Sequence, residues 1–430
     1  MTPEWANETD LYAIADLVRG VSYRRPDLVE DETEGIPLLR ATNIGEGTLT
    51  FDDVLYVPES HVKAEQLLQR FDTVIAMSSG SRKAVGRLAQ LRTDWRGCVG
   101  AFCGIIRPNS HKVHPPYLSY VLRSHEYRMH IDSHAVGTAI MNLSKDRVLS
   151  YSLRLPPPDK QRSIAAILGS LDDKIEQNRR TSRALERLAR AIFRAWFVDF
   201  EPVKAKAAGA TAFPSMPQPI FDALPTRFVD SAIDPVPEGW EVKALAEIAT
   251  FLNGLALQKY PPRDDGEDLR VIKIAELRKG STDDADLANS DVPAEYVIVD
   301  CDLLFSWSGT LEAKFWFGGK GALNQHLFKV TSSHFPRWFC LLWIRQHLPW
   351  FRAIAASKAT TMGHIKREHL QEAQVVVPPA AVIREADHTL GPLHDLHVQL
   401  MIESRKLAAM RDYLQPKLLS GQVRAEAAHG

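Results

Sequence analysis

Cysteine is scarce in this chain: Cys98, Cys103, Cys301 and Cys340 are the only four in 430 residues. So few cannot lace a disulfide framework, and they fit a reducing compartment. Long apolar runs are lacking as well. No stretch reaches the roughly 18 residues that a membrane-spanning helix needs. Residues 1–10 are polar and offer no apolar segment for a signal peptide. A cytoplasmic protein is expected. Charge of one sign is also missing. Lys and Arg number 52 against 53 Asp and Glu, giving a net charge of -1 and a pI near 7.0. That excludes a uniformly basic surface, so any contact with nucleic acid has to come from local basic patches.

Catalytic motifs are thin too. No Gly-x-x-x-x-Gly-Lys-Ser/Thr loop occurs, so ATP-driven chemistry in this chain has no support. Gly45-Glu-Gly47 lacks the third glycine of a dinucleotide turn, and no helix pattern follows it. His114-Pro115-Pro116-Tyr117 resembles the Pro-Pro-Tyr core of amino-methyltransferases, but His stands where Asn or Asp is expected. Asp302 with Glu312-Ala-Lys314 has the residue types of a metal-dependent nuclease. Its counterpart, Asp72 with Ser81-Arg82-Lys83, has no glutamate. Cys98, Cys103, His111 and His114 have the residue types of a zinc site. The two cysteines lie in one apolar run, 98–106, and five positions apart on a strand would face opposite sides. Buried free thiols are the plainer expectation, and no metal site is assigned.

What the chain does contain is a repeat. Leu155-Pro156-Pro157 and Val377-Pro378-Pro379 end two segments, with Pro378 lying 222 residues beyond Pro156. Held without a gap, that offset aligns Leu143 with Ile365, Lys145 with Arg367 and Asp146 with Glu368. Further on it aligns Leu168 with Leu390, Leu171 with Leu393, Ser182 with Ser404, and Leu185 with Leu407. Upstream, Ile36-Pro-Leu-Leu-Arg40 resembles Leu269-Arg-Val-Ile-Lys273. Phe71-Asp-Thr-Val-Ile-Ala-Met-Ser-Ser-Gly80 resembles Cys301-Asp-Leu-Leu-Phe-Ser-Trp-Ser-Gly309. Each of the latter pair is an apolar run entering a Ser/Gly loop, the pattern of a strand and an exposed turn.

After each double proline the period changes. Leu168, Leu171, Ile175, Asn178, Ser182, Leu185, Ala189, Ile192 and Trp196 fall at alternating steps of three and four. Leu390, Leu393, His397, Leu400, Ser404, Leu407, Arg411, Leu414 and Leu418 repeat the pattern. Two such seams in one chain satisfy each other most simply as an antiparallel coiled-coil pair. The interface then rests on Leu168, Leu171, Ile175, Leu185, Ile192, Leu390, Leu393, Leu400, Leu407 and Leu414. Asn178, Ser182, His397 and Ser404 interrupt it, as ordinary imperfections or as residues that pin register. The arginines from Arg179 to Arg194 lie mostly off the seam, on a solvated or protein-docking face.

The expected fold class is α/β (α+β): two similar mixed domains, 1–155 and 237–377, and two long antiparallel helical segments, 156–200 and 378–423, with a pseudo-two-fold repeat. A connector, 201–236, is rich in proline and reads as a semi-rigid spacer without packing of its own.

This layout resembles that of type I restriction–modification specificity subunits. The most specific stretch is Ala191-Ile-Phe-Arg-Ala-Trp-Phe-Val-Asp-Phe-Glu-Pro-Val-Lys204, similar to the segment that ends the first helix in that family. Gly239-Trp240 and Leu418-Leu-Ser-Gly-Gln-Val423 resemble the opening of its second domain and its C-terminal end. The resemblance implies a non-catalytic, DNA-binding chain. In that family each of two target recognition domains reads one half of a split, asymmetric double-stranded DNA site. Two modification subunits bring S-adenosylmethionine and methylate adenine. Restriction subunits bring ATP and Mg, and no cofactor is implied for this chain itself.

Side-chain chemistry then nominates DNA contacts. Arg and Lys suit guanine, Asn suits adenine, and Ser, Thr and Lys suit phosphates. In the first domain these are Arg40, Asn43, Ser78, Ser81, Arg82, Lys83 and Arg87. In the second they are Lys273, Ser306, Ser308, Lys314, Asn324 and His326. The plainer reading of any one of them is a solvated loop residue. Two readings of the whole chain compete with the subunit: a stand-alone DNA methyltransferase or nuclease, and a coiled-coil scaffold that binds only protein.

Overall fold

A computed structural model describes residues 7–45, 47–81, 84–134, 141–263, 266–357 and 363–424. The chain forms two compact units. One is built from the residues up to 174 together with those from 407 onward, and the other from residues 175–406.

The first unit is built on a four-stranded antiparallel sheet in the order Ala15–Arg19, Cys103–Pro108, Thr73–Ala76, Leu88–Gln90. Thr73–Ala76 is buried along its whole length, which is why its sequence runs apolar without alternation. A smaller sheet sets Ile36–Leu39 between antiparallel Leu55–Val57 and parallel Cys98–Val99. Asn7–Asp10 pairs antiparallel with Ser152–Leu155, the strand that enters the double proline.

The second unit repeats this plan, with one strand more in its smaller sheet, Val297–Ile298, paired antiparallel with Gly321–Leu323. Its main sheet runs Thr250–Asn253, Leu327–Thr331, Leu303–Ser306, Ala313–Phe315, again antiparallel throughout. Its smaller sheet sets Leu269–Ile272 between antiparallel Leu287–Ala288 and parallel Gly321–Leu323. Glu241–Ala244 pairs with Gln374–Val377. The duplication extends to backbone detail. Phe71 and Cys301 hold equivalent left-handed turns, with φ of 73° and 71°. Gly20 and Gly254 are equivalent too. A Cβ on either would lie 2.1 Å from the Gly100 carbonyl oxygen or 2.2 Å from that of Asn324, so each position has to be glycine.

The two long helices span Pro158–Phe193 and Ala380–Leu419, and each passes from one unit into the other. In both units their segments run antiparallel, as the heptads predict. In the first unit Leu168 and Leu418 share one core, Leu414 packs against it, and Leu171 and Leu407 are half-buried. In the second, Leu390 shares a core with Phe193 and Trp196, and Ile192 and Leu393 pack against it. Ile175 is buried, and Leu185 and Leu400 are half-buried. The polar seam residues have partners. Asn178 Nδ2 donates to Glu403 at 2.7 Å, and Ser182 Oγ lies 2.7 Å from His397 Nδ1. Ser404 instead donates to the Leu400 carbonyl one turn back in its own helix.

Beyond Phe193 the first helix widens into a π-turn, Arg194–Val198. The extra residue in that turn turns both Trp196 and Phe197 inward. Phe197 sits about 6 Å, centroid to centroid, from Trp240, Trp338 and Phe339. The stretch from Ala191 to Lys204 is therefore an aromatic plug in the core of the second unit.

The connector differs from its expected form. Residues 201–236 contain two short helices, Glu201–Ala207 and Gln218–Asp222. Pro202, Val203, Met216, Ile220, Phe221, Leu224 and Val236 are buried. Lys206 Nζ caps the second helix by donating to the carbonyls of Phe221, Asp222 and Leu224 at 2.9, 2.8 and 2.6 Å. The prolines start helices and turns here, where their missing N–H costs nothing, and the apolar residues between them bury against the plug.

Candidate nucleic-acid interface

The loop that leaves Thr73–Ala76 is fixed before it reaches solvent. Met77 N and Ser78 N both donate to the Phe102 carbonyl, at 2.8 and 3.1 Å, and Leu143 N donates to the Met77 carbonyl at 2.9 Å. Ser78–Ser79 then pairs antiparallel with Met141–Asn142, placing Asn142 opposite Ser78. Ser79 Oγ accepts from Ser81 N at 3.1 Å and shapes the turn, leaving Ser81 exposed.

The second unit builds the same rim. Trp307 N donates to the His326 carbonyl at 3.3 Å, Ile365 N donates to the Trp307 carbonyl at 2.9 Å, and His364 bridges Ser308. By these bonds Ser78 corresponds to Ser308, Met77 to Trp307, Asn142 to His364 and Phe102 to His326. The side chains in the second unit converge. Ser308 Oγ lies 2.9 Å from His326 Nδ1, and the Trp307 indole donates to Asn253 Oδ1 at 2.9 Å and to the Gln325 carbonyl at 3.1 Å. The rings of His326 and His364 lie 5.7 and 6.2 Å from that of Trp307. The half-buried Asn253, Gln325, His326 and His364, set over the buried Ser308, can present donors and acceptors to base edges.

Other nominated residues have different positions. Arg40 and Lys273 occupy equivalent sites, and each is paired with an aspartate in an equivalent turn, Asp53 and Asp286. Asn43 is buried; its Oδ1 accepts from Arg40 N at 2.9 Å and its Nδ2 donates to the Asp52 carbonyl at 2.9 Å. Ser306 is buried, with Oγ donating to the Thr310 carbonyl at 2.6 Å and accepting from Glu312 N at 2.8 Å. Asn324 is buried, its Oδ1 accepting from His326 N at 3.2 Å, and so supports the rim from beneath. Lys314 pairs with Glu312 at 3.0 Å. Arg87 is half-buried beside the strand Leu88–Gln90, and its Nε has no partner among the described residues. Arg82 and Lys83 lie outside the described residues. Among the nominated residues, the geometry thus gathers His326 on one rim, with the buried Ser308 bonded beneath it, and Ser78 and Ser81 on the other. It turns Asn43, Ser306 and Asn324 inward, because the short polar side chains that suit a base also suit the turns that carry a rim.

Asn142, Asn253, Gln325, His364 and Phe102 were missed. They reach the rim from segments distant in sequence, and only the strand pairings bring them there.

The residues with enzyme-like spacing have other partners. Asp302 accepts from Val299 N at 2.9 Å and pairs with Lys329 at 3.0 Å. Asp72 accepts equivalently from Gln69 N at 2.8 Å and pairs with Arg107. Pro115 and Pro116 start the helix Pro115–Leu122, and Tyr117 is buried in the core beneath it. Cys98 and Cys103 stand on separate strands, and burial pushes both thiols up to about 12. Among the described residues no group of three or more His, Cys, Asp or Glu is placed to hold a metal ion.

Two copies of one sheet-and-rim unit joined by two long helices define a class: a double-headed chain whose heads share a plan but differ in their rim residues. Residues 41–187 match the family model for the type I restriction modification DNA specificity domain. The chain is 25% identical over 367 residues to the HindI specificity subunit of Haemophilus influenzae, covering 74% of this chain and 80% of that one. It is 26% identical over 306 residues to the EcoKI specificity subunit of Escherichia coli K12, covering 70% of this chain and 61% of the relative. The crystal structure of a type I restriction–modification S subunit from M. genitalium shares the fold, with a TM-score of 0.53 and 13% identity over 97% of this chain and 99% of that one. Residues 41–187 thus carry the likeness to a type I restriction modification DNA specificity domain, and most of the chain is similar to specificity subunits of type I restriction enzymes.

Proposed function

We propose that each unit reads one half of a split, asymmetric double-stranded DNA site through the rim just described. The observation that carries this reading is the pair of equivalent rims with unlike residues: Ser78, Asn142 and Phe102 in one, Ser308, His364 and His326 in the other. One scaffold used twice with different rim chemistry suits two different half-sites, whose separation would follow from helix length, as spacing follows geometry in other two-headed readers.

In this reading the two helices dock two methyltransferase (modification) subunits, which supply S-adenosylmethionine. Restriction subunits supply ATP and Mg, and this chain supplies no cofactor. Flipping a base for methylation falls to the modification subunit. The setting is the cytoplasm; among the described residues no helix is long and apolar enough to cross a membrane. The test is methylome sequencing of cells with and without this chain. A bipartite methylated motif should disappear with it. Survival of every motif, or methylation of DNA by the isolated chain given S-adenosylmethionine, would overturn the assignment.

A further inference from the structure

Phe102 is 68% exposed, more than any other large apolar side chain among the described residues. Single exposed apolar residues are common and need no explanation, but two observations set this one apart.

The first is rigidity. Phe102 lies in a tight turn closed by Cys103 N donating to the Gly100 carbonyl at 2.8 Å. On one side its own carbonyl takes both Met77 N and Ser78 N. On the other, Gly20 N donates to the Cys103 carbonyl at 3.1 Å, and the Cys103 side chain is buried. Backbone anchors on both sides of the ring hold it outward.

The second is position. Phe102 stands where His326 stands in the second unit. There the ring is half-buried against Trp307 and takes part in the polar cluster. In the first unit Met77 replaces Trp307, is itself buried, and leaves Phe102 uncovered. Phe102 therefore sits on the rim beside Ser78, whose N–H donates to the Phe102 carbonyl and whose strand partner is Asn142.

A phenyl ring cannot exchange hydrogen bonds with a base edge. On the edges exposed in the major groove, the feature it matches is the 5-methyl group of thymine. We propose that Phe102 is a specificity-determining residue of the first unit, packing against a thymine methyl in the half-site that unit reads. This rests on the reading that the chain selects DNA.

The experiment uses the full chain assembled with its modification subunits and duplexes carrying the motif found by methylome sequencing. Each thymine of the first half-site is replaced in turn by deoxyuridine, which removes only the methyl group. One such replacement should weaken binding by the wild-type assembly about fourfold, the worth of one buried methyl. Phe102→Ala should bind the natural site about as weakly and be indifferent to that same replacement. Discrimination in the second half-site should be unchanged in both, which also shows that the variant is folded. The inference is overturned if Phe102→Ala binds as wild type or weakens equally on unrelated DNA. It is overturned too if the variant stays sensitive to every replacement, or if the first half-site holds no A·T pair. A variant that fails to assemble with the modification subunit overturns it as well, because the ring would then belong to a protein interface. A wild-type assembly that selects no site would instead remove the reading beneath it, so the two failures are distinguishable.

Discussion

The Asp172 carboxylate and the Arg411 guanidinium, one from each long helix, meet at 2.8 Å. Arg123 and the Tyr120 hydroxyl reach the same carboxylate at 2.9 and 2.8 Å. Asp172 is 15% exposed, and burial alone would raise its pKa. The two arginines outweigh that and hold it at about 2, below the ordinary 3.8. A shift of that size corresponds to about 2 kcal/mol. The folded value is the lower one, so this stabilisation is present above pH 3.8 and is lost as pH falls toward 2. Asp172→Asn should lower the melting temperature at neutral pH by roughly 5 °C. Near pH 2 the difference from wild type should shrink. Scanning calorimetry across pH checks both, and a melting temperature insensitive to the substitution would show that the three partners do not depend on the charge.

Acid acts on the second unit through histidine. His394 packs its ring 4.4 Å from that of Phe315, and burial lowers its pKa to about 4. His397 is lowered by burial as well, with Glu186 opposing the shift and Arg345 reinforcing it. Asp395, Asp387 and Arg337 are the other charges around His394. The folded chain keeps these rings neutral, whereas the unfolded chain takes up protons below the ordinary 6.5. Stability is therefore complete above pH 6.5 and declines as pH drops toward 4. His394→Leu should flatten that decline; hydrogen exchange of the second unit at pH 7 and pH 5 measures it.

The aromatic plug offers a test of packing. Removing the Phe197 ring from among Phe193, Trp240, Trp338 and Phe339 should cost about 3–5 kcal/mol. The loss should fall on residues 175–406, which include the Pro-rich connector packed against the plug. Limited proteolysis of Phe197→Ala should give early cleavage within 201–236. A connector equally protected in variant and wild type would contradict the packing described here.

The repeat was legible because its strongest marks, the double prolines and the heptads, are matters of order along the chain. The strands Thr73–Ala76 and Leu303–Ser306 were legible as apolar runs. The connector's packing is not legible in its prolines, which suit a spacer as well as the start of a helix, while Ile220, Phe221 and Leu224 between them spell out a buried face. The rims were legible only in part. Ser78 and Ser308 follow directly from the strand, but Asn142 and His364 arrive by cross-strand pairing, which no local pattern announces. Asn43, Ser306 and Asn324 were nominated for side-chain type alone. Burial then assigns them to the framework, and no property of the residue by itself distinguishes that role from base contact.

The paired charges at the equivalent turns make a separate prediction. Arg40 with Asp53, and Lys273 with Asp286, are exposed ion pairs, which contribute little to stability. If Arg40 contacts phosphate in the complex, Asp53 competes with DNA for it. Asp53→Ala should then strengthen binding to any duplex severalfold without altering the methylated motif, since phosphate contacts position and do not specify. Arg40→Ala should weaken binding uniformly and reduce the slope of log affinity against log salt by about 1. Fluorescence anisotropy across a salt series reads both. A change of motif in either variant would move Arg40 from the backbone to a base edge.

The second rim makes the sharpest prediction about sequence. His326 is held between Ser308 and Trp307, and Asn324 fixes its backbone from beneath. Its ring position is therefore set before DNA arrives, and a preset polar group discriminates among bases by about 1–3 kcal/mol per good pairing. His326→Ala should leave the melting temperature within about a degree of wild type, because the ring is half-buried and makes one side-chain hydrogen bond at normal length. Its effect should appear in methylome sequencing as relaxed choice at one base of the half-site read by the second unit. The half-site read by the first unit should stay intact, because none of its rim residues is altered. Relaxation in both halves would mean that the variant weakens binding in general, and His326 would then be no reader of sequence.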